Sequence, residues 1–176
     1  MTSTDRVVPE MRERLLINRD GKLTSTQWLD LVTQPLMSLM VLSIPLMLFI
    51  PRLLFAMGFW LIVMAVLIAL TVLVFRAFRY ARTPVHFATL EAEQSKQVWR
   101  FFGAIRLKDE EGRILRFTKR LAPMPQLTRG KRYIVYYIKD NDVFTLLSIA
   151  PTDHPKVKKW HPSQPFMKRF QQRSGQ

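Results

Sequence analysis

Apolar residues fall along this chain in three patterns. From Leu36 to Phe75 they run almost unbroken except at Ile50-Pro51-Arg52, from Val85 to Ile149 they alternate with polar residues in short stretches, and at both ends they are scattered among charges. The run Leu53 to Phe75 holds 23 residues without a charge. As a helix it is about 35 Å long, enough to cross a hydrocarbon core of roughly 30 Å. The run Leu36 to Ile50 has only 15 residues, but Trp28, Leu29, Leu31 and Val32 extend it upstream. The pattern predicts a transmembrane helical hairpin over 26–82, with helices at about 26–50 and 53–80 and a turn at Pro51-Arg52.

Small residues mark the contact face of this hairpin. Gly58, Ala65 and Ala69 permit close helix approach, and Ala65 with Ala69 forms a small-xxx-small pair. Pro45 predicts a kink in the first helix. Thr24 followed by Gln27 has the form of a capping box opening the interfacial turn that carries Trp28. No ionisable residue lies between Leu53 and Phe75, so the hairpin reads as an anchor rather than a conduction path. Beyond Phe75 the helix is expected to leave the bilayer with Arg76, Arg79, Tyr80 and Arg82 at the interface, where Arg side chains reach anionic headgroups. Thr83-Pro84 stops it.

After Val85 the period changes to two. Strands are predicted at 85–93, 98–107, 113–118, 131–138 and 143–149, joined by Asp109-Glu110-Glu111-Gly112, a rigid proline loop at 122–126, and Asp140-Asn141-Asp142. Five short strands in one small domain, 83–150, suggest an antiparallel barrel or curled sheet of oligonucleotide-binding or SH3-like type. The fold class is therefore α+β, a membrane hairpin followed by this module. The fourth strand is apolar on both faces, Tyr133, Val135 and Tyr137 on one and Ile134, Tyr136 and Ile138 on the other. Either the second face packs on the hairpin or another subunit, or the barrel closes on one face and a loop covers the other.

The ends carry too little apolar surface to fold alone. The arm 1–25 mixes both signs of charge around Leu15-Leu16-Ile17, with a turn at Asn18 to Gly21, and is either disordered or laid against something. The tail 151–176 is rich in proline and cations and reads as extended. Within it Phe166, Met167 and Phe170 share a helical face opposite Lys168, Arg169 and Arg173, the pattern of an interfacial helix or a partner-bound peptide.

Charge fixes an orientation. The net charge is +14, and residues 1–33 contribute nothing to it, 34–82 contribute +4, 83–150 contribute +5 and 151–176 contribute +5. Arg14, Arg19 and Lys22 precede the first helix and Arg76, Arg79 and Arg82 follow the second, so both termini are expected on the cytoplasmic side. There is no cysteine, which excludes disulfides and thiolate metal sites. The N-terminal stretch lacks a signal-peptide pattern, so the hairpin is expected to persist.

Candidate chemistry is sparse. His86, His154 and His161 lack metal-ligand spacing, Glu91 and Glu93 sit beside polar strand-end residues rather than in a cleft-forming pattern, and no phosphate-binding glycine loop or nucleophile motif occurs. No enzyme activity, cofactor, metal or small-molecule substrate is expected. Nucleic acid is disfavoured by the anchor and the interleaved acids, although Trp99, Phe101, Phe102 and Tyr136 among cations resemble a stacking surface. The reading that follows is a non-catalytic accessory or scaffold subunit of a membrane complex. Its hairpin would pack on other transmembrane helices, and Tyr133, Tyr136, Trp160, Phe166, Lys168, Arg169 and Phe170 would meet partner subunits or anionic headgroups. The alternative is a free-standing, membrane-tethered binding or regulatory module for anionic lipid, peptide or nucleic acid.

Overall fold

The computed structural model describes residues 7–33, 54–93, 104–121 and 127–174. The expected first transmembrane helix beyond Thr33, the Pro51-Arg52 turn, the start of the second strand and the proline loop 122–126 lie outside the described residues. The chain forms two compact units, one of Met1–Gln27 with Thr83–Gln176 and one of Trp28–Arg82. Arm, strands and tail thus belong to one unit.

That unit is α+β, built on a closed five-stranded barrel. Its strands are β1 (Val85–Ala92), β2 (Ile105–Lys108), β3 (Ile114–Arg120), β4 (Arg132–Asp140) and β5 (Val143–Pro151). They close in the order β1-β2-β3-β5-β4, with β4 returning to β1. All neighbours are antiparallel except β3 and β5, which run parallel through Phe117 opposite Phe144 and Arg120 opposite Leu146. A parallel pair cannot be joined by a tight turn, and here β4 makes the crossing. Gly112 (φ 82°) and Asn141 (φ 52°) supply the left-handed backbone that the β2–β3 and β4–β5 turns require. Leu90, Leu107, Phe117, Tyr133, Val135 and Ile149 are buried on the strands' alternating positions and form the core.

The second apolar face of β4 is covered by the chain's own ends. Helix α1 (Pro9–Asn18) opens with proline in its first turn, where no donor is lost, and buries Met11 and Leu15. It packs on β5 and on a 3-10 turn, Val157–Trp160. Helix α4 (Gln164–Ser174) follows in the tail. The tail is therefore not extended: Trp160 and Phe166 are buried, because the outer side of β4 offers them an apolar surface that residues 151–176 cannot make alone. Each large aromatic buried this way contributes roughly 1.5–3 kcal/mol.

Polar side chains fix the register of these ends. Asn18 Nδ2 donates to Ser148 Oγ at 2.8 Å, and Gln27 Nε2 donates to the Leu147 carbonyl at 2.9 Å. The Arg14 guanidinium donates to the Leu121 carbonyl and, at 2.6 Å, to Glu10. Thr24 and Gln27 form the reciprocal capping box, Gln27 N–H to Thr24 Oγ1 at 3.2 Å and Thr24 N–H to Gln27 Oε1 at 3.0 Å. It opens a helix over 25–33, α2.

In the second unit α3 runs Leu54–Arg82. Among the described residues one helical stretch, Val63–Arg82, is long and apolar enough to cross a membrane, judged by length and composition, and little of it is buried. The two-span hairpin expected from the sequence is thus matched by one such helix. Thr71 Oγ1 returns a hydrogen bond to the Leu67 carbonyl at 2.8 Å, satisfying its polar group within the helix. Near the end of α3, Arg76 donates to the Leu31 carbonyl at 3.0 Å and to Tyr80 Oη at 3.2 Å, and its guanidinium lies 5.2 Å from the Tyr80 ring centre.

Candidate functional site: a basic face on strands β2 and β3

Alternation along β2 and β3 separates core from surface. Ile105 and Leu107 are buried while Arg106 and Lys108 are exposed; across the turn Phe117 is buried while Ile114, Arg116 and Thr118 are exposed. The register sets Arg106 directly opposite Arg116, and Lys108 opposite Ile114. One outer surface thus carries three cations and an isoleucine that is 52% exposed. Like charges facing across a ladder destabilise it, and none of the three forms an ion pair with another described residue.

Nearby acids do not neutralise this surface. Arg113 engages Asp109 at 3.4 Å and Glu111 at 2.6 Å within the β2–β3 turn, so the turn consumes its own charge. Glu91 on β1 stands opposite Lys108 in the ladder but makes no ion pair with it. Lys119 continues β3 past a bulge.

An aromatic cluster is centred on Tyr137 of β4 and includes the buried Phe117 of β3. Tyr137 stacks on His86 at 5.4 Å and meets Phe117 and Phe144 edge-on or tilted, and Phe170 of α4 approaches His86 at 5.9 Å. Burial raises the Tyr137 phenol above its ordinary value, the charge of Asp109 adds to this, and Arg113 opposes it. Beside the cluster a small open cleft is lined by Gly21, Pro84, Val85, Phe166, Arg169 and Phe170.

Comparison with protein-family models, with curated proteins and with solved structures gives no match. The site therefore has to be read from its own chemistry.

The residues singled out from the sequence are distributed as follows. Tyr133, Tyr136, Trp160 and Phe166 are all buried within the barrel unit. Tyr136 Oη donates to the Trp160 carbonyl at 2.7 Å, and Tyr133 Oη accepts from Thr128 N–H at 2.9 Å. Phe166 lies against Gly21 and 6.5 Å from the Tyr136 ring. Phe170 is half-buried, Lys168 is exposed, and Arg169 donates to the Asp20 carbonyl at 3.1 Å. In the other unit Trp28, Arg79 and Arg82 are exposed and Tyr80 is buried. Gly58 lies within α3, Ala65 is exposed and Ala69 is half-buried.

Arg106, Lys108 and Arg116 were not among the residues the sequence pattern singled out. Their signal was present: Arg106 and Lys108, two apart around Leu107, before a short turn, and Arg116 between Leu115 and Phe117 after it. Only the pairing register reveals that Arg106 and Arg116 face one another.

Proposed function

We propose that this chain is a membrane-anchored, non-catalytic binding module, in which a transmembrane hairpin carries a barrel of oligonucleotide-binding-fold type on the cytoplasmic side. The observation that carries the reading is the hydrogen bond from Arg76 to the Leu31 carbonyl. It joins the start of one apolar segment to the end of the other, 45 residues later. Two passes of about 20 residues with a turn between them use such a length, and a chain that returns to its starting level has both flanks on one side. The cations Arg76, Arg79 and Arg82 then lie where the positive-inside preference puts them. The strand order β1-β2-β3-β5-β4 with β3 parallel to β5 favours the oligonucleotide-binding type over the SH3-like one.

Between a free-standing module and a subunit clamped by its tails, the covered barrel favours the module. The side chains that would grip a neighbour, Trp160 and Phe166, are buried against the chain's own β4 side. The test exploits the absence of native cysteine. In sealed vesicles Arg52→Cys should react with an impermeant maleimide only from the face opposite the termini, and alkaline carbonate should leave the chain in the membrane pellet. Labelling from the side of the termini overturns the hairpin, and release by carbonate overturns the anchor.

A further inference from the structure

We propose that the outer face of β2 and β3, formed by Arg106, Lys108, Ile114 and Arg116, docks on anionic phospholipid headgroups. The proposal rests on the membrane-anchored reading and names the partner of the barrel.

Three observations lead there. First, Arg106 and Arg116 oppose each other in the ladder without an acidic partner among the described residues. Facing cations some 4.5–5.5 Å apart at Cβ repel each other, a bound anion relieves that repulsion, and paired guanidinium forks match phosphate oxygens bidentately. Second, Ile114 projects from the same surface beside Lys108 and Arg116. An apolar side chain ringed by cations suits the headgroup and acyl boundary. Third, only Thr83 and Pro84 separate α3 from β1, so an anchored barrel is held at high local concentration beside a bilayer, where even weak contacts are populated.

Single-stranded nucleic acid fits this face less well, since it calls for aromatic platforms on which bases stack. The described outward positions of β2 and β3 are Arg106, Lys108, Ile114, Arg116 and Thr118. The aromatics Phe117, Tyr137 and Phe144 are engaged with one another.

The full chain, carrying Ile114→Cys labelled with an environment-sensitive fluorophore, is reconstituted into vesicles of phosphatidylcholine with or without phosphatidylglycerol, each doped with a headgroup-level quencher. Quenching should rise with phosphatidylglycerol content and fall as salt screens the contact. Each cation is worth about a fivefold change in docking, so the double variant Arg106→Glu/Arg116→Glu should lower the docked-to-free ratio by more than ~25-fold. Arg116→Glu alone places opposite charges across the ladder and should melt no earlier than the parent while docking weakly. This separates lost docking from lost folding.

Equal quenching in both lipids, or quenching in the double variant equal to that of the parent, overturns the proposal. Protection of the label in phosphatidylcholine vesicles by a short single-stranded oligonucleotide, or by glycerol phosphate, would assign the face to nucleic acid or to a soluble phosphate and would equally overturn it. Failure of the anchor is read separately, as carbonate release of the unlabelled chain.

Discussion

At the scale of single residues, one contact ties the tail to the barrel and another ties it to the N-terminal arm. Tyr136 Oη donates to the buried Trp160 carbonyl, and burial pushes its phenol far above the ordinary value of 10.0, with Arg19 lowering it and Asp20 raising it. A raised phenol favours the neutral form in the folded chain. Its contribution is therefore complete below about pH 10 and is lost as pH rises from there toward the folded-state value. Tyr136→Phe should cost roughly 1–3 kcal/mol at neutral pH, because the Trp160 carbonyl loses its donor. It should also give a shallower alkaline loss of stability, the remainder coming from Tyr137; urea melts of the detergent-solubilised chain across pH read both effects. The second contact is steric. A Cβ on Gly21 would sit 2.6 Å from Phe166 Cδ2, on backbone with φ +75°. Gly21→Ala should destabilise by roughly 1–3 kcal/mol from the left-handed backbone and the displaced ring together, and the loss of α4 packing should be visible in hydrogen exchange of residues 164–174. The Gly21 turn was legible in Asn18-Arg19-Asp20-Gly21. That an aromatic 145 positions away presses on it was not, because nothing local encodes such an approach.

At the scale of elements, the ends of the chain behave as straps. Arg19 donates from its side chain to the Lys159 carbonyl at 2.9 Å, and its own carbonyl accepts from Ser163 N–H at 3.0 Å. Arm and tail are thus tied to each other as well as to the barrel. Trp160, buried and tilted against His154 at 4.5 Å, fixes the tail where its carbonyl accepts from Tyr136 of β4. Trp160→Ala should cost about 3–5 kcal/mol, the range for emptying a buried aromatic site. It should also make the tail protease-sensitive before the barrel strands, which limited proteolysis with mass spectrometry will show. The strands were readable from period-two alternation and turn residues: four fall close to the expected positions, and β2 meets the expected 98–107 at residues 105–107, with 98–103 lying outside the described residues. The parallel β3–β5 pair was not, because a local pattern is equally compatible with either direction of pairing. The helical face of Phe166 and Phe170 was also readable, but its target was not, since an amphipathic helix carries no address for the surface it covers.

At the scale of the whole molecule, the barrel unit is assembled from two stretches of chain on either side of the apolar segments. Joining Gln27 to Thr83 through a flexible linker, with 28–82 removed, should yield a soluble domain that melts cooperatively. Residues 83–176 alone, lacking α1 and the Gln27 bond to Leu147, should melt earlier or not fold, and circular dichroism of the two polypeptides is the measurement. The sequence by itself determined the local features of this protein: the long helix, uncharged as far as Phe75 and ending at Arg82, the capping box at Thr24 and Gln27, the glycine turns, the strand positions and the rise in positive charge after the apolar segments. Each depends on residues within a few positions of one another, whose periodicity and backbone preference act locally. Tertiary structure decided the rest. It closed the barrel, covered Tyr136 on the outer face of β4 with Trp160 and Phe166 of the chain's own tail, and set Arg106 against Arg116. These outcomes depend on which surfaces meet across long separations, where burial of apolar area selects the partner and strand register, rather than sequence proximity, determines which charges share a face.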